Sequence, residues 1–489
     1  MTQRITIDPI TRLEGHGKIE IFLDDRGEVA SAYIQIPELR GFERFCLGRP
    51  AEEMPRITER ICGVCPSAHH IASARTLDSL YHVDPPPAAH KVRELFYNLF
   101  MFEDHTLHFY FLGGPDFIVG PGAPAAERNV VGVIGKVGLE IGGKVIEARK
   151  IARAFMAEMA GKVVHPVFGL PGGVSKPLKA EMVDRLKAAA PGLVDFAQFS
   201  LKAFADIVLK NQVYVDTILA DHYAHRTHYM GTVDANGRVT FYRGRLRVID
   251  PSGTRVVEFD PSDYLTYIGE HVEPWSYIKF PFLKRPGWKG FVDGPQSGVF
   301  RVAPLARLNV ADGMATPRAQ EHYEQMVQTL GGKPVHSTLA THWARLIEAL
   351  QATEAVQVLA NDPEILDPNV RRLPDRAPTE GIGAVEAPRG TLIHHYATDP
   401  NGLLTMVNLI VATVHNAAPI QMSIEKAAKG VIHGGQVDDG LLNQVEMAFR
   451  AYDPCFGCAT HTLPGEMPLT AVVRRSDGSV VTTLSRGGA

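Results

Sequence analysis

The chain has 489 residues, enough to bury a large core and more than one compact domain usually needs. Hydrophobic residues make up 45% and charged residues 21%, the balance of a soluble globular protein. Lys plus Arg is 50 against 54 for Asp plus Glu, a net charge of -4 with no basic stripe or acidic tail, so a nucleic-acid partner has no electrostatic support. No run of about 18 apolar residues is present, which speaks against a membrane span. The start, Met1-Thr2-Gln3-Arg4-Ile5-Thr6, lacks the apolar stretch of a signal peptide, and a cytoplasmic location is expected. A subunit exported on a partner would need no signal of its own.

In chain order, residues 17–36 alternate around Asp25-Arg26-Gly27 and predict a β-hairpin. A helix is expected from near His69, ended by the prolines at 85–87. A second, unusually aromatic one is expected over Ala89–Phe111. Further helices are predicted at 139–160 and at 177–230, the latter broken near Pro191. Helices this long and apolar predict an α+β, mainly helical fold with a buried central bundle. Short alternating runs broken by Gly and Pro over 231–304 predict a smaller β-rich insertion. Helices resume at 316–331 and 336–361, a Pro-rich loop is expected at 363–388, and a last helix over 436–451 runs up to Asp453-Pro454. The tail, 462–489, holds Gly, Ser, three arginines and a strand-like Ser479-Val480-Val481-Thr482-Thr483-Leu484.

The five cysteines are Cys46, Cys62, Cys65, Cys455 and Cys458, and the last four form two C-x-x-C pairs at opposite ends of the chain. Few cysteines in a large chain without a signal make a disulfide framework a poor reading. A C-x-x-C turn brings two sulfurs within reach of one metal, and two such turns supply four thiolates, a soft set suited to zinc, nickel or iron. Spacing alone leaves a zinc site that staples the chain ends as open as a catalytic one. Cys46 fits no ligand motif and reads as a small buried residue.

The first pair stands in Arg60-Ile61-Cys62-Gly63-Val64-Cys65-Pro66-Ser67-Ala68-His69 and the second in Asp453-Pro454-Cys455-Phe456-Gly457-Cys458-Ala459-Thr460-His461. Together they resemble the signature pair of nickel–iron hydrogenase large subunits. Other blocks agree in order: Asp8-Pro9-Ile10-Thr11-Arg12-Leu13-Glu14-Gly15-His16, Arg40-Gly41-Phe42-Glu43, His108-Phe109-Tyr110 running to Asp116, His165-Pro166 with Gly172-Gly173-Val174, and Glu386-Ala387-Pro388-Arg389-Gly390. The resemblance spans nearly the whole chain and implies the large-subunit fold over residues 1–461.

It also implies roles. Cys62 and Cys455 would be terminal nickel ligands, and Cys65 and Cys458 would bridge nickel to an iron carrying cyanide and carbon monoxide. Glu14 would take the proton from Cys455. Arg389 would lie over the open metal position and contact a cyanide, held in place by Asp116 and Asp453. Without its motif, Arg389 would read as a surface arginine in a Pro-rich loop. Thr413 would hydrogen-bond a cyanide, although Val411-Ala412 stands where many members have Val-Pro. His69 would lie near a bridging sulfur, with a satisfied core histidine as the rival reading. Glu43, the Leu409 carbonyl and His461 would hold a magnesium or iron ion.

The same resemblance makes 462–489 a maturation extension, cut after His461 by an endopeptidase once nickel-insertion proteins have loaded the site. With four of the five cysteines assigned, Cys46 alone cannot hold an iron–sulfur cluster, so electrons would leave through an iron–sulfur small subunit. The second cysteine motif and its tail most resemble the soluble bidirectional branch, which implies NAD reduction in separate diaphorase subunits. Two rivals stand: a dihydrogen-sensing subunit, whose relatives usually lack such a tail, and the zinc-stapled structural subunit.

Overall fold

The computed structural model describes residues 3–36, 38, 41–273, 275–459, 469–475 and 479–486. At its centre stands the helix Thr341–Asn361, buried on every side over its first four turns. A helix covered all round is one enclosed by its neighbours. Here these include the helices Pro87–Leu107 and Ala180–Phe204, with Leu139–Ala160 outside them. Leu95, Phe96, Leu99, Phe100 and Phe102 fill the space between, so the predicted bundle is the core. Each large ring buried there contributes about 1.5–3 kcal/mol through its removal from water.

Several local readings change, and the helix expected over 177–230 gives way after Phe204 to a π turn, Ala205–Leu209, a separate helix, Gln212–Leu219, and a strand from His228. The aromatic helix stays α-helical only to Leu107, after which His108–Gly113 forms a wider π turn, with the Gly114 amide donating to the Phe109 carbonyl at 2.7 Å. Such a turn admits one extra residue and re-aims the side chains beyond it. Pro191 does not break its helix: it lies inside Ala180–Phe204 and is exposed, so the carbonyl it leaves unbonded can turn to water. The predicted hairpin, Lys18–Leu23 against Val29–Gln35, gains a third antiparallel strand from Gln3–Ile7.

The stretch 228–301 carries a four-stranded sheet, in the order Phe300–Arg301, His228–Val233, Arg245–Ile249, Arg255–Phe259, beside the hairpin Ile268–Val272 with Lys279–Leu283. The Pro-rich loop predicted over 363–388 ends early. From Glu380 the chain is a strand, Glu380–Ala387, paired with Gly390–Thr398, which pairs in turn with Leu404–Ile410. This sheet lies flush on the helix Pro66–Leu80, and glycine makes that possible. A Cβ on Gly381 would stand 2.3 Å from the Leu80 nitrogen, and one on Gly383 2.5 Å from that of Thr76.

Toward the end, Asp439–Arg450 is the last long helix, and Leu469–Arg474 pairs antiparallel with Val480–Arg486 in the tail. His461, where cleavage is expected, lies outside the described residues. Among the described residues no helix is long and apolar enough to cross a membrane.

Candidate metal centre

The chain ends meet at the cysteines. After a tight turn over Glu59–Ile61, Cys62 is extended, and the amides of Val64 and Cys65 point back at its sulfur at 3.2 and 3.3 Å. Cys65 is the N-cap of the helix Pro66–Leu80, whose dipole favours negative charge there. Cys455 is held to the N-terminal motif by a parallel bridge to Glu14: the Phe456 amide donates to the Glu14 carbonyl at 2.9 Å. Its own amide donates to the Thr413 hydroxyl at 3.0 Å. The short helix Phe456–Ala459 then delivers Cys458.

All four sulfurs lie within 4.8 Å of one another and are buried. Cys62 stands 3.2 Å from Cys455, Cys65 3.2 Å from Cys458, and Cys455 3.0 Å from Cys458. Burial opposes ionisation of Cys62, but hydrogen bonds from the other thiols and the Arg389 charge bring it well below the ordinary thiol value. Burial, with the neighbouring sulfurs, holds Cys455 and Cys458 well above it. Four thiols packed this closely cannot all ionise alone; cations among them make all four thiolates, which is the chemistry of a metal-binding set. Cys46 stands apart, fully buried, its thiol pushed up to about 12 by burial.

Glu14 reaches this cluster directly. Its Oε2 lies 2.9 Å from the Cys455 sulfur and accepts the Gly457 amide at 3.0 Å. Burial, and then the Cys62 charge, raise its pKa. On another side, Arg389 sits in the two-residue tip between Ala387 and Gly390. It is buried and donates to Asp104 at 3.2 Å and Asp453 at 3.1 Å. Asp453 takes a left-handed backbone, φ 57°, which turns the chain from the last helix into the cysteine motif. Burial pushes Asp104 up to about 7 against the pull of Arg389, and raises Asp453 as well.

One expectation is corrected here. Asp116 does not hold Arg389; it binds Arg12 at 2.5 Å, Arg450 at 2.7 Å and Asn443 at 3.1 Å. Burial would raise its pKa, but the two guanidiniums outweigh that and lower it. The π turn places Asp116 toward the N-terminal motif, so it braces the segments carrying Glu14 and Asp453. Asp104 holds Arg389 in its stead. Its sequence signal is the acidic pair Glu103-Asp104 beside His105, after the aromatic run of the same helix.

His69 Nδ1 is 3.2 Å from His394 Nε2, and His394 is 2.6 Å from the Tyr396 hydroxyl, all buried. Glu43 is buried and accepts the Leu409 amide at 2.8 Å, so two of the three residues expected at the magnesium or iron site are neighbours. The third, His461, is outside the described residues. Arg345, missed in the sequence, is fully buried in the central helix and donates to the Ala451 carbonyl at 3.1 Å; burial lowers its pKa to about 10.

A family profile described as nickel-dependent hydrogenase matches residues 40–129 and 144–461, and one described as HoxL-like matches residues 4–39. An iron-sulfur subunit of the F420-non-reducing hydrogenase of Archaeoglobus profundus is 48% identical, with 99% of each chain covered. The beta subunit of the NAD-reducing hydrogenase HoxS of Cupriavidus necator is 39% identical over 99% of this chain and 100% of its own. A solved NAD+-reducing [NiFe]-hydrogenase in the H2-reduced state superposes with a TM-score of 0.89 at 37% identity, covering 94% of this chain and 100% of that one. With its four buried sulfurs gathered from both ends of the sequence, the chain belongs to the nickel-dependent hydrogenases, as a large subunit.

Proposed function

We propose that this subunit cleaves and forms dihydrogen heterolytically at a nickel–iron centre, with Glu14 as the proton carrier. The observation that carries the reading is the Glu14 carboxyl 2.9 Å from one sulfur of a buried four-sulfur set. A lone zinc ion, with bonds of about 2.3 Å, would keep tetrahedral sulfurs about 3.8 Å apart. Cys65 and Cys458, 3.2 Å apart, suit a pair of ligands shared between two metals better.

Cys62 and Cys455 would be terminal to nickel, and Cys65 and Cys458 would bridge to iron. The bound centre, with carbon monoxide and cyanide on its iron, supplies the electron-pair acceptor that so weak an acid as dihydrogen requires. The protein supplies the rest. Cys455 would receive the proton on its sulfur and Glu14 Oε2 would take it over; burial raises the pKa of Glu14, which favours a carboxyl able to accept it. Arg389 presents a fixed cation to the open side of the site, where planar donors suit an anionic ligand in a dry pocket. Thr413, whose oxygen accepts the Cys455 amide, keeps its own hydrogen for a cyanide. His69 would steady a bridging sulfur from the His394–Tyr396 side. Glu43, the Leu409 carbonyl and His461 would hold magnesium or iron, with His461 freed when 462–489 is removed.

Electrons then pass to an iron–sulfur small subunit. The finer reading is that they go on to NAD through diaphorase subunits in the cytoplasm, supported by the 39% identical NAD-reducing relative and the 0.89 superposition. The F420-non-reducing relative at 48% marks the acceptor as the point to test. With the small subunit and a dye, the chain should oxidise dihydrogen but reduce no NAD. A pair that cannot turn over dihydrogen after maturation would overturn the enzyme reading, and NAD reduction by the pair alone would overturn the diaphorase.

A further inference from the structure

Arg307 lies outside every motif that the sequence singles out, yet it is hydrogen-bonded through all three of its nitrogens. It stands on the short helix Pro304–Val310, fully buried. Its Nε and Nη2 fork onto the two carboxylate oxygens of Glu348, each at 2.6 Å. Nη1 donates to Glu386 Oε2 at 2.8 Å and to the Ala387 carbonyl at 2.9 Å, and Nη2 also reaches the Pro388 carbonyl at 3.4 Å. A guanidinium has five N–H donors, and each of these has an acceptor.

Those acceptors define what Arg307 holds. Ala387 pairs with Gly390, so Pro388 and Arg389 form the whole tip of the hairpin. Arg307 grips the two carbonyls that lead into Arg389. Glu386 is fixed from its other oxygen by the amide and hydroxyl of Thr232, at 2.9 and 2.8 Å, and by the Thr391 hydroxyl at 2.9 Å. Glu348 in turn lies 3.0 Å from His105, the residue after Asp104. One guanidinium thus joins the backbone before Arg389 to the helix that carries its carboxylate partner. Burying such a cluster gains little net stability over an apolar filling of the same volume, because desolvation offsets the attraction. Fixed geometry is what it supplies.

We propose that Arg307 is a positioning residue for Arg389, setting the hairpin tip so that the Arg389 guanidinium faces the centre. This rests on the nickel–iron reading above. Lysine would keep the charge but lose the fork, so Arg307→Lys should let the tip drift. A second variant, Thr391→Val, loosens Glu386 while leaving Arg307 in place.

The test uses the matured holoenzyme complex in four forms: unaltered, R307K, R389K and the double variant. Infrared bands of the cyanide and carbon monoxide ligands are recorded beside dye-linked dihydrogen oxidation. The expected result for R307K is a loss of about tenfold to a hundredfold, with cyanide bands displaced in the same direction as in R389K. The double variant should lose little beyond R389K, since both act through one group. Unchanged bands and turnover in R307K, or losses that multiply in the double variant, would overturn the assignment. If R307K yields no folded complex, T391V decides by the same comparison with R389K. Unaltered protein without the diatomic bands would remove the centre and this assignment with it; intact bands with an indifferent R307K would remove the assignment alone.

Discussion

Arg307 and Arg389 are both buried, both paired with two carboxylates, and joined through the Pro388 carbonyl, yet they are bonded in opposite ways. Arg307 has an acceptor for every N–H, the closest at 2.6 Å. Arg389 makes two longer contacts, 3.2 and 3.1 Å, and its Nε and one oxygen of its partner Asp104 have no hydrogen bond. An unmet buried donor costs free energy and calls for an explanation, and Arg93, Arg345 and Arg450 leave Nε unmet as well. Arg389 is also the one whose charge acts on the thiols. On the proposed reading Arg307, with every donor met, is scaffold, and Arg389, whose charge reaches the thiols, belongs to the site.

That contrast can be sharpened or broken by substitution, and the largest effect is expected where the site touches sulfur. Glu14→Gln keeps the shape of the side chain but cannot take a proton, so dihydrogen oxidation should fall by about 10²–10⁴-fold. Its unfolding midpoint and metal content should match those of the unaltered protein. Arg307→Met is the opposite case. It strands Glu348 and Glu386 as buried unpaired charges, and urea unfolding should show a loss of about 3–5 kcal/mol. Arg389→Lys should cost about 10²–10³-fold in turnover with a much smaller loss of stability than Arg307→Met. Equal stability losses at the two arginines would erase the distinction between scaffold and site.

A smaller effect is expected at Asp104. Burial raises its pKa from 3.8 to about 7, so between those values the folded chain binds more protons than the unfolded one. Stability must then fall as pH rises through that window, and this contribution is fully present only below it. Asp104→Asn should flatten the slope of unfolding free energy against pH there; an unchanged slope would mean that Asp104 is ionised throughout.

The sequence carried the site further than it carried the scaffold. The cysteine pairs, Glu14, Arg389 and Asp453 stand in short motifs, and motifs survive because chemistry fixes both residue and spacing. Asp104 and Arg345 have no such frame: each is one of several charges on a largely buried helix, and only packing reveals what faces it. The pairing of Asp116 with Arg389 rests on the resemblance alone. No spacing in the sequence marks its actual partners, Arg12, Arg450 and Asn443, which only the packing beyond the π turn at His108–Gly113 brings to it. The strand Glu380–Ala387 was hidden for a similar reason. Gly381 and Gly383 read as loop residues in one dimension, and as close contact with a helix in three. Apolar periodicity marked the long helices but misplaced the ends of the one expected over 177–230, which runs unbroken through the exposed Pro191 and stops at Phe204.

The central claim is that four thiolates from the two chain ends hold nickel and iron. The most direct test is metal analysis of the protein matured in its native host, combined with infrared spectroscopy in the carbon monoxide and cyanide stretching region. The account predicts nickel and iron in comparable amounts with bands from both diatomic ligands. Stoichiometric zinc without those bands would contradict it and return the four cysteines to a structural staple.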